Sequence, residues 1–287
     1  MILVDLNQVM ISNLMQQVGN NKAALLEEDL VRHMVLNSLR MYRTKFSEKF
    51  GELVICCDDK NNWRRDVFPY YKVHRKKARQ ESALDWNTIF SFLNSVKEDL
   101  KNKFPYKVLQ VPRAEADDII GSICTEYGQT LNNGSEEILI LSSDKDFGQL
   151  QKYANVQQYS PVQKKYIRIN NPATFINEHI LKGDRGDGVP NFLSDDDTFV
   201  NQKRQKPLTY KKLSVWNVMK PEDFCNEKML RGYKRNQQLI DLNFIPKDIY
   251  NQAIEQFVNY KCNDRSLMFN YFIDKKLKNL MEVIREF

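Results

Sequence analysis

Five groups of acidic residues stand at intervals along the chain. They are Asp5 in ILVDLNQ, Asp58 in ICCDD, Glu115/Asp117/Asp118 in AEADD, Asp144/Asp146 in SSDKDF, and Asp184/Asp187 in KGDRGDGVP. Each group alone has a plain structural reading, because acids are common at strand ends and at helix N-termini, where the peptide dipole favours them. That reading is strongest for Glu115 and Asp117, which lie where a helix begins. The five together ask for more. If they converge, mutual repulsion raises their pKa values and destabilises the fold unless a cation sits among them. Hard oxygen ligands in such number suit Mg²⁺ or Mn²⁺. Two such ions about 4 Å apart activate a water and stabilise the leaving oxygen of a phosphodiester in an in-line displacement.

An acidic pocket that acts on a polyanion needs cations beside it. The net charge is only +6, but its distribution is uneven. Between Lys60 and Arg79 there are eight Lys/Arg against one acid, Asp66, and between Lys203 and Arg235 ten against three. The remainder of the chain is therefore net acidic. Basic segments of this density are the usual footprint of a polyphosphate partner, and a solvated helix face is the bland alternative. The first segment interleaves Trp63, Phe68, Tyr70 and Tyr71 with its cations. Rings beside Lys and Arg suit a single strand, whose bases stack while its phosphates are held; one or two of these rings are expected to pack into the core instead.

The acids must be positioned by regular elements. Residues 2–6, 53–57, 108–111 and 137–141 read as short buried strands. Asp29 is placed to cap a helix whose apolar positions include Leu30, Met34, Val35, Leu39 and Tyr42. Further helices are expected from about 85 to 103 and after Pro112, with a turn at 132–134. Strands alternating with helices predict a parallel sheet in an α/β domain. Sites in such sheets form outside the carboxyl ends of the strands, where Asp5, Asp58 and Asp144 stand. Beyond about residue 190 the chain turns polar, basic and mostly helical.

Composition excludes several other classes. At 42% hydrophobic and 28% charged, the chain has a globular composition. Its apolar runs are too short to span a bilayer, and it opens without a basic leader, which predicts a soluble cytosolic protein. Five cysteines without a C-x-x-C argue for reduced, mostly buried thiols. The histidines, His33, His74 and His179, are scattered, and His33 is expected to be partly buried. No P-loop, G-x-S-x-G or H-E-x-x-H occurs.

The ordered blocks ILVDLNQ, ICCDD, WRRDVFPYYKVHRKKAR, AEADDII, LSSDKDFGQL and KGDRGDGVP resemble the 5′-nuclease family of flap endonucleases and 5′–3′ exonucleases, and within it the ribonuclease H branch of T-even phages. The resemblance runs over about 2–190 and persists weakly to LIDLNFIPKDI at 239–249. It implies a mostly parallel sheet flanked by helices, a PIN-like core, with a helical arch region and a smaller helical C-terminal region. The catalytic domain is expected over 1–190, including a basic arch at about 60–103, and a helical DNA-binding region over 191–287.

The resemblance implies two Mg²⁺, with Mn²⁺ able to substitute. Asp5, Asp58, Asp117 and Asp144 match acids of the first metal, with Glu115 in the same block; Asp146, Asp184 and Asp187 match acids of the second, some acting through water. Asp118 sits beside the matched acids without matching one. Lys72 and Arg79 fall where cations polarise the scissile phosphate, Arg75 is a weaker candidate for the same task, and Tyr71 is expected to stack on the terminal base. Arg64, Arg65, Lys76 and Lys77, with Lys203, Arg204, Lys206, Lys211 and Lys212, are expected to bind nucleic acid.

One departure stands out. Gly188 occupies a position where the family usually has Asn, and NFLSDDDTF follows without the glycines of the usual helix–hairpin–helix. The basic 203–235 stretch is the candidate replacement for that duplex grip. The expected activity is removal of RNA primers and adjacent DNA in lagging-strand replication, by a monomer in the bacterial cytoplasm, with a sliding clamp and a single-strand-binding protein as family-implied partners. A non-catalytic nucleic-acid-binding protein retaining the fold is the alternative, and a strand-end aspartyl phosphatase is disfavoured by Asp5-Leu6-Asn7, which lacks the D-x-D.

Overall fold

Apolar residues at every position, rather than at alternate ones, are what a strand needs when helices cover both faces of its sheet. Ile2–Asp5 (β1), Leu53–Cys56 (β2), Lys107–Leu109 (β3) and Ile138–Leu141 (β4) meet that requirement apart from Asp5 and Lys107 at strand ends, and Val156–Ser160 (β5) and Lys165–Ile167 (β6) extend the sheet. The computed structural model describes residues 1–20, 27–128 and 136–287, with the backbone alone for 16–20. The strand order is β3-β2-β1-β4-β5-β6, parallel throughout except for the antiparallel β5/β6 pair. The order reverses between β1 and β4, and a crevice opens at such a switch point, at the carboxyl ends of the strands.

Successive residues of a strand face opposite ways, so each strand serves two cores. Ile2 and Val4 of β1 face helices α1 (Leu6–Asn20) and α2 (Glu28–Phe50). Two short helices follow β2, α3 (Arg64–Val67) and α4 (Val73–Gln80), and then α5 (Trp86–Lys103), which closes the same core with Ile89, Leu93, Val96 and Leu100. Asp85 starts α5 by accepting hydrogen bonds from the Asn87 and Thr88 amides. Leu3 faces the opposite layer, where α6 (Ala116–Gly128) contributes Ile119, Ile120 and Ile123.

Helix α7 (Pro172–Lys182) begins at Asn171, whose side chain accepts from the Thr174 amide. Then come α8 (Tyr210–Trp216), α9 (Pro221–Phe224), α10 (Glu227–Ile240), α11 (Lys247–Asn259), α12 (Ser266–Asp274) and α13 (Lys278–Met281). Ile249 and Ala253 of α11 join the α6 layer, while Met268, Phe272, Leu280 and Phe287 join the core under α2 and α5. The residues beyond 190 thus pack into both cores of the sheet, and among the described residues they form no strand of the sheet.

The four expected strands lie within one or two residues of their expected ends. Leu6 is the first residue of α1 rather than the last of β1, so Asp5 sits at the strand–helix junction. Glu27, not Asp29, precedes α2; Asp29 lies in its first turn and pairs with Arg32 at 2.6 Å. Strands β5 and β6 and helix α7 went unforeseen. Strand β5 is polar in sequence, and its buried Gln158 is accommodated because its side-chain amide donates to the Ser142 and Asp144 carbonyls. Cys56, Cys57 and Cys124 are buried free thiols, and His33 is partly buried, as expected. The expected turn at 132–134 lies outside the described residues. Among them no helix is long and apolar enough to cross a membrane.

Candidate active site

Asp5 ends β1, where its carboxylate accepts from the Gln8 amide at 3.1 Å and from the Ser142 hydroxyl at 3.1 Å. Asp58, just past β2, accepts from Asn7 at 2.6 Å and from the Ala116 amide at 2.8 Å. The second contact puts this carboxylate at the N-terminus of α6, whose unpaired amides and dipole favour an anion. Asp117 stands in the first turn of the same helix. Asp144, past β4, starts the 3₁₀ helix Lys145–Lys152 by accepting from the Asp146 amide at 3.0 Å.

These acids crowd one another. Burial, then Asp58, pushes Asp5 up to about 7. Burial and Glu115 raise Asp58; burial, Asp144 and Asp5 raise Asp117 far above the usual carboxylate range. Asp144 and Asp146 are also raised, chiefly by burial, with neighbouring carboxylates adding to it. Five carboxyls that resist ionisation in one bowl are the electrostatic signature of a site built around cations. The donor set, all hard oxygens, fits Mg²⁺ or Mn²⁺.

Glu115 behaves differently. Burial works to raise it, but the Lys72 ammonium and the Arg64 guanidinium outweigh that and hold it down at about 2. Lys72 Nζ lies 2.5 Å from Glu115 and 3.6 Å from Asp187. Arg75 donates to Asp187 at 2.6 Å and to the Gly186 carbonyl at 2.9 Å. Asp184 accepts from Lys145 at 2.9 Å and lies 3.2 Å from His179 Nε2; although burial opposes it, these two partners hold its carboxyl well below the usual range. The turn from 184 to 189 presents both acids: Asp184 and Val189 form an antiparallel bridge, and Gly188 takes φ 77°. That left-handed backbone suits Gly, and Asn better than most other residues.

The eight expected acids therefore gather at one end of the sheet, in two groups linked by Lys72. Two expected nucleic-acid contacts are corrected. Arg64 is buried, donating to Asp118 at 2.8 and 3.0 Å, to Glu115 at 3.3 Å and to the Leu239 carbonyl at 2.9 Å, so its guanidinium is committed to the interior and away from a phosphate. Tyr71 is buried with its hydroxyl between Glu115 (2.8 Å) and Asp187 (2.7 Å), and cannot stack on a base from there. Trp63 and Phe68 are buried too, so three of the four interleaved rings serve the core and only Tyr70 is exposed.

Arg79 lies over the rings of Phe90 and Trp86, at 4.8 and 5.7 Å, rather than among the acids. Arg65, Lys76 and Lys77 are exposed, as are Lys203, Arg204, Lys206, Lys211 and Lys212, although Lys203 is paired with Asp197 at 2.7 Å. The site residue that sequence reasoning missed is His179, brought beside Asp146 and Asp184 by α7. Nothing in the spacing of a lone histidine on a helix marks it.

A mostly parallel α/β sheet with buried carboxylates collected past the ends of its central strands is an arrangement able to hold cations. The comparisons with known proteins agree. Residues 4–179 match the family model described as 5′-3′ exonuclease, N-terminal resolvase-like domain, and residues 171–287 match the one described as T4 RNase H, C terminal. The chain belongs to the 5′–3′ exonuclease family, and is a 5′ nuclease.

It is 32% identical to the ribonuclease H of Enterobacteria phage T4, over 99% of this chain and 95% of that protein. It is 27% identical to the flap endonuclease Xni of Shewanella oneidensis, over 48% of this chain and 50% of that one. The fold is shared with the bacteriophage T5 flap endonuclease, solved as a pseudo-enzyme-product complex with DNA and metal ions. That match has a TM-score of 0.62 and 14% identity, covering 90% of this chain and 97% of that chain.

Proposed function

We propose that the chain is a divalent-metal-dependent 5′–3′ exonuclease and flap endonuclease that degrades RNA primers in RNA–DNA hybrids, and adjacent DNA, during lagging-strand replication. The observation that carries this reading is the convergence of Asp5, Asp58, Asp117 and Asp144 from four separate elements, all four resisting ionisation. A structural protein has no use for such repulsion, and the non-catalytic alternative has no observation in its favour.

Asp5, Asp58, Asp117 and Asp144 would hold one ion and Asp146, Asp184 and Asp187 the other, some through water. Two bound Mg²⁺, or Mn²⁺ in their place, supply water activation and stabilisation of the leaving oxygen. Water adds to phosphorus and the bond to the 3′ oxygen breaks, so products carry 5′-phosphates. Lys72 lies between Glu115 and Asp187, and its ammonium is poised to turn from them to a scissile phosphate. Glu115 acts by keeping Lys72 charged and in place. Arg75 is the second cation at that point, and Arg79 would leave its ring platform to follow the strand. Arg65, Lys76 and Lys77 line the arch.

Residues 1–190 carry the chemistry in this reading. Residues 191–287, with Arg204, Lys206, Lys211 and Lys212 exposed, grip the duplex. Work as a monomer in the host cytoplasm, beside a sliding clamp and a single-strand-binding protein, belongs to the same proposal.

The test is Asp144→Asn on a 5′-labelled flap with Mg²⁺. Cleavage is expected to vanish while flap affinity stays within about threefold. Because the carboxyl at 144 is already under repulsion, the neutral amide relieves it, and the melting temperature without metal should not fall. Cleavage at the unsubstituted rate would remove the proposal.

A further inference from the structure

His179 takes no part in the chemistry above, yet it is 6% exposed and faces the acids. Helix α7 packs on the 3₁₀ helix Lys145–Lys152, and the edge-on ring of Phe175, 6.1 Å away, supports the imidazole. Its Nε2 lies 3.2 Å from Asp184 Oδ2. Its Nδ1 lies 3.4 Å from Asp146 Oδ1, and both of those atoms are buried without a hydrogen-bond partner.

Buried polar atoms are nearly always satisfied, so two orphans facing each other need a common partner. If Nε2 donates its proton to Asp184, Nδ1 presents a lone pair to Asp146 Oδ1, which itself has only lone pairs once a metal ion has displaced that carboxyl's proton. A cation between them satisfies both. Among the described residues, Asp146, His179 and Asp184 are the group whose ligand atoms all lie within 4.8 Å of one another. Neighbouring ligands on an ion with bonds of about 2.1–2.2 Å sit about 3.0–3.5 Å apart, and the 3.4 Å contact between Nδ1 and Asp146 is an edge of that size, while Asp184 on Nε2 fixes the ring from its other side. Asp187 has less capacity, since Arg75, Tyr71 and Lys72 already surround its oxygens. Lys145 on Asp184 is more than half exposed and free to swing away.

We propose that His179 is a metal ligand, its Nδ1 joining Asp146 while Asp184 holds the ring through Nε2, in a mixed nitrogen–oxygen site that makes the second divalent position favour Mn²⁺ over Mg²⁺. The proposal rests on the reading of the acidic bowl as a divalent-metal centre and deepens it. Imidazole binds the first-row transition ions more strongly than it binds Mg²⁺, which keeps to oxygen.

The experiment uses the full chain, without substrate, loaded with Mn²⁺ alone. Pulsed EPR should show ¹⁴N coupling from a directly bound imidazole. In His179→Gln the coupling should disappear and Mn²⁺ affinity, read by calorimetry, should fall about tenfold or more, with Mg²⁺ affinity changing less than about threefold. Absence of ¹⁴N coupling in the unsubstituted chain overturns the proposal, and that measurement stands even if the variant does not fold. Coupling that persists in His179→Gln, or equal losses for both ions, also overturns it, since His179 would then only orient the two carboxylates. Nitrogen coupling in a chain that cleaves no flap would sink the nuclease reading and leave this one standing; cleavage without coupling would do the reverse.

Discussion

At Lys72 the backbone takes φ 57°, a left-handed conformation that costs a non-glycine residue about 1 kcal/mol or more. Two contacts hold it there: the Lys72 amide donates to the Asp187 carbonyl at 2.7 Å, and the ammonium meets Glu115. Strain held beside the acids fits the proposed role of Lys72 as an aimed cation. Lys72→Ala is therefore expected to lower kcat at least about tenfold with a smaller change in KM, measured on a flap under single-turnover and steady-state conditions; a change in KM alone would make Lys72 a simple anchor.

The acids carry a pH prediction. Asp5 has its carboxyl at about 7 in the fold against an ordinary 3.8. The folded chain thus holds a proton that the unfolded chain releases first, so stability present at the acid side is lost as pH rises toward 7. Without metal, the melting temperature is expected to fall between about pH 4 and 7. Divalent ions should reverse the trend, because they replace the protons and bind better as those leave. A metal-free melting temperature that climbs across that range would contradict the repulsion.

Among the elements, the Arg64–Asp118 pair is the tie that sets the site's geometry. It clamps α3 to α6, and through the Leu239 carbonyl it reaches the C-terminal end of α10. Trp63 adds a hydrogen bond to Asp118 at 3.1 Å. Arg64→Ala would strand a fully buried carboxylate, a loss of about 3–5 kcal/mol in urea unfolding. A loss under about 1 kcal/mol would show that water reaches the pair. This tie explains a misreading: Arg64 and Arg65 are adjacent and chemically alike, but one is buried and the other exposed. Helices α5 and α6 and strands β1, β2 and β4 were legible because their apolar patterns and caps are local. Strands β5 and β6 were not, because the polar needs of β5 are met by carbonyls just past β4, a pairing that the polar sequence of β5 does not signal.

Across the whole molecule, charge is arranged in two ways. The acids at 195–197 pair with Lys203, Lys228, Arg231 and Arg235, so much of the second basic segment is neutralised internally. Arg204, Lys211 and Lys212 remain exposed without such pairing among the described ion pairs. Replacing these three with Ala should weaken duplex binding and reduce the slope of log K against log salt by roughly 2–3, while cleavage of saturating flap substrate is kept. An unchanged slope would move the duplex grip elsewhere. The order of the acidic blocks was enough to name the family, and local hydrophobic patterning was enough to place the strands that carry them. Sequence alone could not separate the acids that repel from those already paired, turn Arg64 and Tyr71 inward, or set His179 against Asp146. Burial and charge pairing arise between residues tens to more than a hundred positions apart, and come into being only when the sheet and its helices have closed around them.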